Sequence, residues 1–157
     1  MPDSLLFMQR AIALSIEKMQ QGCGGPFGAV IVKDGQVIAE GFNQVTSQND
    51  PTAHAEISAI RQACQQLQTF DLHGCQLYTS CEPCPMCLSA ICWARIDQVF
   101  YANTREDAAR IGFDDAFFYQ QVCAPIEQRT IPFTQIGRDQ ALNAFAQWQE
   151  KDDKVNY

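Results

Sequence analysis

The sequence predicts a three-layer α/β/α domain, in which a central mixed sheet carries helices on both faces. Strand-like apolar runs alternate with helical patterns along the 157 residues. Two of those runs, residues 76–80 and 98–102, are separated by a helical segment, so we expect them to be parallel. An Asp-Gly turn between two β-branched runs adds an antiparallel hairpin. The length is that of one domain, predicted to span residues 1–157.

The chain opens with a predicted helix over residues 5–19, because apolar residues recur there near a 3.6-residue period. A glycine-rich turn follows this helix. The hairpin strands are predicted over residues 27–32 and 37–41, on either side of Asp34-Gly35.

The second helix is predicted to begin at Pro51 and to end near residue 67, after a polar loop over residues 47–50. Asp50 suits its N-cap, and proline suits a first helical position because its missing N–H costs nothing there. The later predicted elements are a strand over 76–80, a helix from Pro83 to about residue 94, a strand over 98–102, helical stretches over 107–110 and 116–121, a strand over 130–136 despite Pro132, and a helix over 139–151.

The composition excludes several functional classes. Hydrophobic residues make up 46% of the chain, enough to bury a core. A net charge of −7 argues against a protein that neutralises long nucleic acid, but it leaves room for a small neutral ligand. No apolar run approaches the roughly 20 residues that span a bilayer. Met1-Pro2-Asp3-Ser4 lacks the positive start of a signal peptide, so we expect a cytoplasmic protein without a membrane partner.

Eight cysteines are the unusual feature of the composition, and four of them crowd into residues 81–92. In a chain without an export signal, such a cluster indicates metal binding or catalysis more often than disulfides. We expect the cysteines outside the metal site to pack as small apolar residues, because free cysteine is often buried.

Two short segments carry the predicted chemistry, one from His54 to Glu56 and one from Pro83 to Cys87. If Pro83 opens a helix, Cys84 and Cys87 lie on one face, close enough to bind one metal ion. The helix N-terminus favours the thiolate form that a metal requires. His54 as a third ligand leaves a fourth position open, as in catalytic zinc sites. Glu56 then fits as the general base that takes a proton from water.

Other interpretations of these residues remain open. The cysteine spacing also resembles an iron–sulfur run, although Ile91 stands where the next ligand is needed. The same segment contains two C-x-x-C pairs, which are typical of thioredoxin-like redox sites. A closed four-ligand structural zinc site that also uses Cys81 is a further alternative. His54 could be a core or cap residue, and Glu56 could be a first-turn acid. A zinc-stabilised interaction module without catalysis would have no need of Glu56.

His54-Ala55-Glu56 and Pro83-Cys84-Pro85-Met86-Cys87 together resemble the H-x-E…P-C-x-x-C signature of zinc-dependent nucleobase deaminases. The resemblance implies a cytidine deaminase-like fold, Zn2+ held by His54, Cys84 and Cys87, and Glu56 as a proton shuttle. Further stretches resemble the bacterial guanine deaminases over nearly the whole chain. They are residues 25–32, 49–54, 79–84, 90–95, 112–115 and 127–133, and Tyr157.

That resemblance implies hydrolytic deamination of guanine to xanthine and ammonia, in purine catabolism or salvage. It implies a homodimer that exchanges a C-terminal segment, about residues 130–157. It also implies that Asp115 holds the base edge and helps to move protons. The other implied substrate contacts are Asn43 as a hydrogen-bond partner, Phe27 and Trp93 packed on the purine, Ala55, and Tyr157 supplied by the partner subunit.

Two alternative substrates stay open. A tRNA adenosine deaminase shares the first of these stretches, but a polynucleotide substrate calls for a basic groove, and the chain is acidic. Cytosine or another small aminoheterocycle, such as an s-triazine amine, is the other.

Overall fold

The computed structural model describes residues 2–157, with side chains from Ser4 onward. The chain divides between Ala116 and Phe117 into two compact units. The described helices are α1 (Pro2–Gln20), α2 (Val45–Gln48), α3 (Ala55–Leu67), α4 (Pro85–Trp93), α5 (Arg105–Arg110), α6 (Ala116–Cys123) and α7 (Arg138–Glu150), with a 3₁₀ turn at Ile126–Gln128. The strands are β1 (Gly28–Lys33), β2 (Gln36–Phe42), β3 (Cys75–Cys81) and β4 (Gln98–Asn103).

The four strands form one mixed sheet in the order β2-β1-β3-β4. Strand β1 is antiparallel to β2, and the two are joined by the tight turn at Asp34-Gly35, which confirms the predicted hairpin. Strand β1 is also antiparallel to β3. Strands β3 and β4 are parallel and connected through α4, as the sequence predicted.

Helices cover both faces of this sheet, which confirms the predicted α/β/α layering. Successive side chains of a strand point to opposite faces. Val30 and Val32 of β1 pack with Leu14 of α1 in one apolar cluster. Ala29 and Ile31 pack on the other face, in a cluster that contains residues of α3 and α4. Two small cores, one above and one below the sheet, therefore hold the first unit together.

The backbones of β2 and α3 lie unusually close at Gly41. A Cβ atom placed there would lie 2.1 Å from the carbonyl oxygen of Ala55 and 2.5 Å from the backbone nitrogen of Ala59. Both residues are fully buried alanines on the sheet-facing side of α3. Small residues on both elements thus bring the start of α3 against the sheet.

Two helices begin later than the sequence predicted. Helix α3 begins at Ala55 and not at Pro51, because the Asp50 carboxylate accepts hydrogen bonds from the Thr52 backbone N–H and hydroxyl at 2.8 and 2.7 Å. That local turn competes with the helix for the side chain expected to be its cap. The loop predicted over residues 47–50 also overlaps the end of the short helix α2.

Helix α4 begins at Pro85 and not at Pro83. The residue before a proline is driven out of the helical region, and Cys84 accordingly has an extended backbone with φ −67° and ψ 169°. Cys84 is therefore the N-cap residue of α4, as His54 is of α3.

The unit from Phe117 to Tyr157 contains most of α6, the 3₁₀ turn and α7. The strand predicted over residues 130–136 is wrong, since this described segment forms none. Pro132 has no N–H to donate to a strand ladder. No residue of this unit is buried. Cys92 and Cys123 are exposed, contrary to the prediction that they pack. Among the residues described, no helix is long and apolar enough to cross a membrane.

Candidate active site

The site is built at the first residues of α3 and α4. His54 is the N-cap residue of α3, in an extended conformation, and Glu56 is its second residue. Cys84 is the N-cap residue of α4, and Cys87 lies in its first turn. The cap conformation turns the His54 and Cys84 side chains away from the helical path, which lets them meet.

His54, Cys84 and Cys87 form the cluster that the sequence predicted. Their ligand atoms all lie within 4.8 Å of one another. The Nδ1 atom of His54 is 3.6 Å from Cys84 Sγ and 3.5 Å from Cys87 Sγ. Tetrahedral zinc with ordinary Zn–N and Zn–S bonds separates such atoms by about 3.5 Å. The donor set and its spacing therefore fit one zinc ion.

Cys81 does not join this cluster. Its sulfur lies 3.7 Å from the carbonyl oxygen of Thr104, to which the thiol donates. Burial, with the nearby Glu56 charge, raises the pKa of Cys81 to about 11. A closed four-ligand site that includes Cys81 is thus not what the side chains form.

The electrostatics of the cluster favour a thiolate at Cys84. A hydrogen bond from Cys87, reinforced by one from His54, lowers the pKa of Cys84 to about 4. The same contact, together with burial, raises the pKa of Cys87. The pKa of His54 is raised, chiefly by its hydrogen bond to Cys84. A cation binding here would displace the remaining thiol proton, as metal sites with thiolate ligands do.

Glu56 lies beside the cluster without belonging to it. Its side chain is buried, and Oε2 accepts a hydrogen bond from Cys87 Sγ at 3.4 Å. The other oxygen, Oε1, accepts from the Thr79 hydroxyl at 3.1 Å. Burial raises the pKa of this carboxyl above its usual range. A carboxylate held in this way can exchange protons at the edge of a metal site.

The structure also shows where two predicted substrate contacts lie. The Oδ1 atom of Asn43 accepts hydrogen bonds from the backbone N–H groups of Gly25 and Val45 at 3.1 and 3.2 Å. The ring of Phe27 packs edge-on against Phe113, with centroids 5.0 Å apart. Their roles toward a substrate stay predictions.

The two neighbouring aspartates at residues 114 and 115 differ in their contacts. Asp114 accepts a hydrogen bond at 2.9 Å from the backbone N–H of Ala116, the first residue of α6. Asp115 has its pKa raised, first by burial and then by the negative charge of Cys84. The Asp115 carboxyl is therefore within electrostatic range of Cys84.

The remaining predicted contacts are Ala55, Trp93 and Tyr157. Ala55 is the first residue of α3 and is fully buried. Trp93 ends α4 with 66% of its surface exposed. Tyr157 belongs to the second unit and is 72% exposed.

Sequence reasoning assigned no role to Thr79 and Phe113, which contact Glu56 and Phe27. Thr79 is 1% exposed in the middle of a buried strand, and a polar residue in such a place is the signal that could have identified it.

Residues 1–103 match the model of the cytidine and deoxycytidylate deaminase zinc-binding region. The guanine deaminase of Bacillus subtilis (strain 168) is 56% identical over 151 residues, which are 96% of this chain and 97% of that protein. A tRNA-specific adenosine deaminase of Agrobacterium fabrum is 44% identical over 98 residues, 62% of this chain and 64% of that protein.

A crystal structure of guanine deaminase from Bacillus subtilis superposes with a TM-score of 0.94 and 55% identity, covering 97% of each chain. Over nearly its full length the chain is similar to a bacterial guanine deaminase, and it holds a zinc-ligand cluster at the starts of α3 and α4. The chain therefore belongs to the cytidine and deoxycytidylate deaminase zinc-binding family.

Proposed function

We propose that this enzyme converts guanine and water to xanthine and ammonia. The observation that carries the proposal is the likeness to a guanine deaminase over 96% of the chain, which includes the second unit. The tRNA-specific adenosine deaminase covers only 62% of the chain. The greater coverage by the guanine deaminase thus favours free guanine over a tRNA adenosine as the substrate.

The chemistry is a hydrolysis in which no atom is oxidised or reduced. A C–O bond forms at C2 of guanine, the bond from C2 to the exocyclic nitrogen breaks, and ammonia leaves. Zinc, when held by His54, Cys84 and Cys87, supplies a Lewis acid that makes water nucleophilic near neutral pH. Glu56 accepts the proton that water releases and delivers it to a ring nitrogen. The remaining proton of the attacking water passes to the exocyclic amine, which leaves as ammonia while the C2 carbonyl forms.

The side chains near the metal ligands suit the polar edge of a purine. Because Asn43 Oδ1 is occupied by two backbone N–H groups, its amide NH₂ is the group left for a ligand. Asn43 therefore donates to acceptor atoms of the base, while the Asp115 carboxylate accepts from its N–H groups. Phe27 and Trp93 offer rings to the purine faces, and Ala55 lines the site beside Glu56.

We propose further that the enzyme is a homodimer whose subunits exchange the segment of about residues 130–157, so that the partner's Tyr157 completes each site. The support is the exposure of the second unit, which buries no residue. It nevertheless carries large apolar side chains whose exposure is unfavourable in water. They include Phe118, Val122, Ile131, Phe133, Ile136 and Phe145. A second copy of the chain would cover them.

We expect the enzyme to act in the cytoplasm, because a zinc site with two cysteine ligands requires reduced thiols.

The proposed reaction is tested by measuring ammonia release from the zinc-loaded protein with guanine, guanosine, adenine, cytosine, cytidine and a tRNA anticodon stem-loop. We expect release from guanine, with xanthine as the product. Release from the stem-loop alone would overturn the proposal.

The tRNA adenosine deaminase is the second candidate, since one such relative is 44% identical over 98 residues. The net charge of −7 weighs against it, because binding of a polynucleotide requires clustered Lys and Arg. Cytosine is included among the substrates to test whether the enzyme acts on another small aminoheterocycle.

A further inference from the structure

Thr79 contacts Glu56, although the proposed function gives Thr79 no part in the reaction. Its side chain is 1% exposed, and its hydroxyl donates to Glu56 Oε1 at 3.1 Å. The Thr79 hydroxyl oxygen also lies 3.1 Å from the carbonyl oxygen of Cys81. A hydroxyl carries one proton, so it donates to only one of these two acceptors at a time.

The strand that carries Thr79 is rigidly placed. Strand β3 pairs with β1 on one side and β4 on the other, and Thr79 faces Ala29 and Tyr101 in the two ladders. A β-branched side chain on such a strand has few rotamers. The hydroxyl thus occupies a fixed position relative to the first turn of α3.

We infer that Thr79 is a positioning residue for Glu56: its hydroxyl holds Oε1 and so leaves Oε2 facing the metal ligands. The Oε2 atom is the one 3.4 Å from Cys87 Sγ. The inference rests on the proposed function, in which Glu56 takes a proton from water and passes it on.

The experiment compares two substitutions that separate the hydroxyl from the methyl group. Thr79→Val keeps the shape and removes the hydroxyl, whereas Thr79→Ser keeps the hydroxyl and removes the methyl group. We expect T79V to lower kcat by about 10- to 100-fold, as losses behind a metal site do, with zinc content and KM unchanged. T79S should remain within about threefold of the parent kcat.

A kcat for T79V equal to that of the parent would overturn the inference, and so would a T79S variant as slow as T79V, since packing alone then explains the effect. If T79V does not fold, Thr79→Ala provides the second variant without a hydroxyl.

A second measurement needs no substrate. We expect T79V to lower the midpoint of thermal unfolding more in the parent protein than in a Glu56→Ala variant. In the Glu56→Ala variant the carboxylate that accepts the Thr79 hydrogen bond is already absent. Equal shifts in both backgrounds would contradict the inference. This result stays informative if the parent releases no ammonia from guanine, the outcome that would instead overturn the proposed function.

Discussion

Glu56 contacts Cys87 but lies outside the three-residue cluster, as its proposed role in proton transfer without metal binding requires. We predict that Glu56→Gln keeps one zinc per chain and loses about 10²- to 10⁴-fold in kcat. The amide keeps the size of the side chain but cannot accept the proton. Zinc by elemental analysis and steady-state ammonia release are the two measurements.

Glu106→Gln, on an exposed carboxylate of α5, is the matched control and should behave as the parent does. Zinc loss in Glu56→Gln would make Glu56 a ligand. Unchanged turnover would remove it from the proton transfer.

Cys84 and Cys92 offer a test of the metal site within one segment, because Cys84 caps α4 and Cys92 lies exposed near its end. We predict that Cys84→Ser loses both zinc and activity, because a serine hydroxyl is a poor substitute for a thiolate ligand. Cys92→Ser should retain both. Equal zinc loss in the two variants would show that the effect is not ligation.

At the scale of elements, the contact between β2 and α3 sets the position of His54 and Glu56. We predict that Gly41→Ala lowers the free energy of unfolding by about 1–3 kcal/mol and weakens zinc binding, because the new methyl group would meet the α3 backbone. Chemical denaturation and zinc titration measure the two effects.

Gln36→Ala, at the exposed start of the same strand, is the control and should change neither quantity. A Gly41→Ala variant with normal stability and weak zinc binding would mean that α3 shifts without strain. One with both unchanged would contradict the prediction.

The contact between α1 and β2 adds a pH-dependent term. Arg10 donates two 2.7 Å hydrogen bonds to the Glu40 carboxylate, which lowers its pKa below 4.5. A carboxyl with a lower pKa in the folded state stabilises the fold above its unfolded pKa. That stability is lost as pH falls through the folded value.

We therefore predict that Glu40→Gln costs up to about 1 kcal/mol at pH 7, since both side chains are over one-third exposed and screened by water. The difference from the parent should shrink as pH falls below about 4.5. Urea unfolding across this range measures it. Glu17→Gln, at 3.6 Å from the same guanidinium, should cost less. A Glu40→Gln penalty that grows toward acid pH would contradict the conclusion that the ionised carboxylate of Glu40 stabilises the fold.

The elements also show what a sequence can and cannot predict. Alternation and turn chemistry are local, so the hairpin at Asp34-Gly35 and the parallel pair of β3 and β4 were predictable. The start of α3 was not, because Asp50 bonds to Thr52 in place of the helix. The zinc ligands followed from a spaced motif, whereas the contact of Thr79 with Glu56 joins residues 23 apart that only the folded sheet brings together.

At the scale of the whole molecule, the two units differ in how they are held. The first has buried side chains on both faces of its sheet, and the second has none. Hydrophobic burial is the main favourable term in folding, so the second unit requires apolar surface from elsewhere to be stable. The proposed exchange between two copies would meet that requirement and bring Tyr157 to the site of the partner.

Complementation between two inactive subunits tests the exchange directly. We predict that Tyr157→Ala lowers kcat/KM, by about 10- to 100-fold if its ring packs on the substrate. Co-purified heterodimers of a Glu56→Gln subunit and a Tyr157→Ala subunit should then regain about half of the parent activity, because the exchange joins Glu56 of one subunit with Tyr157 of the other. Without exchange, no site has both residues, and the heterodimer should be as slow as its parents. Full activity of Tyr157→Ala alone would remove that residue from the site, while a monomeric mass in solution would contradict the dimer itself.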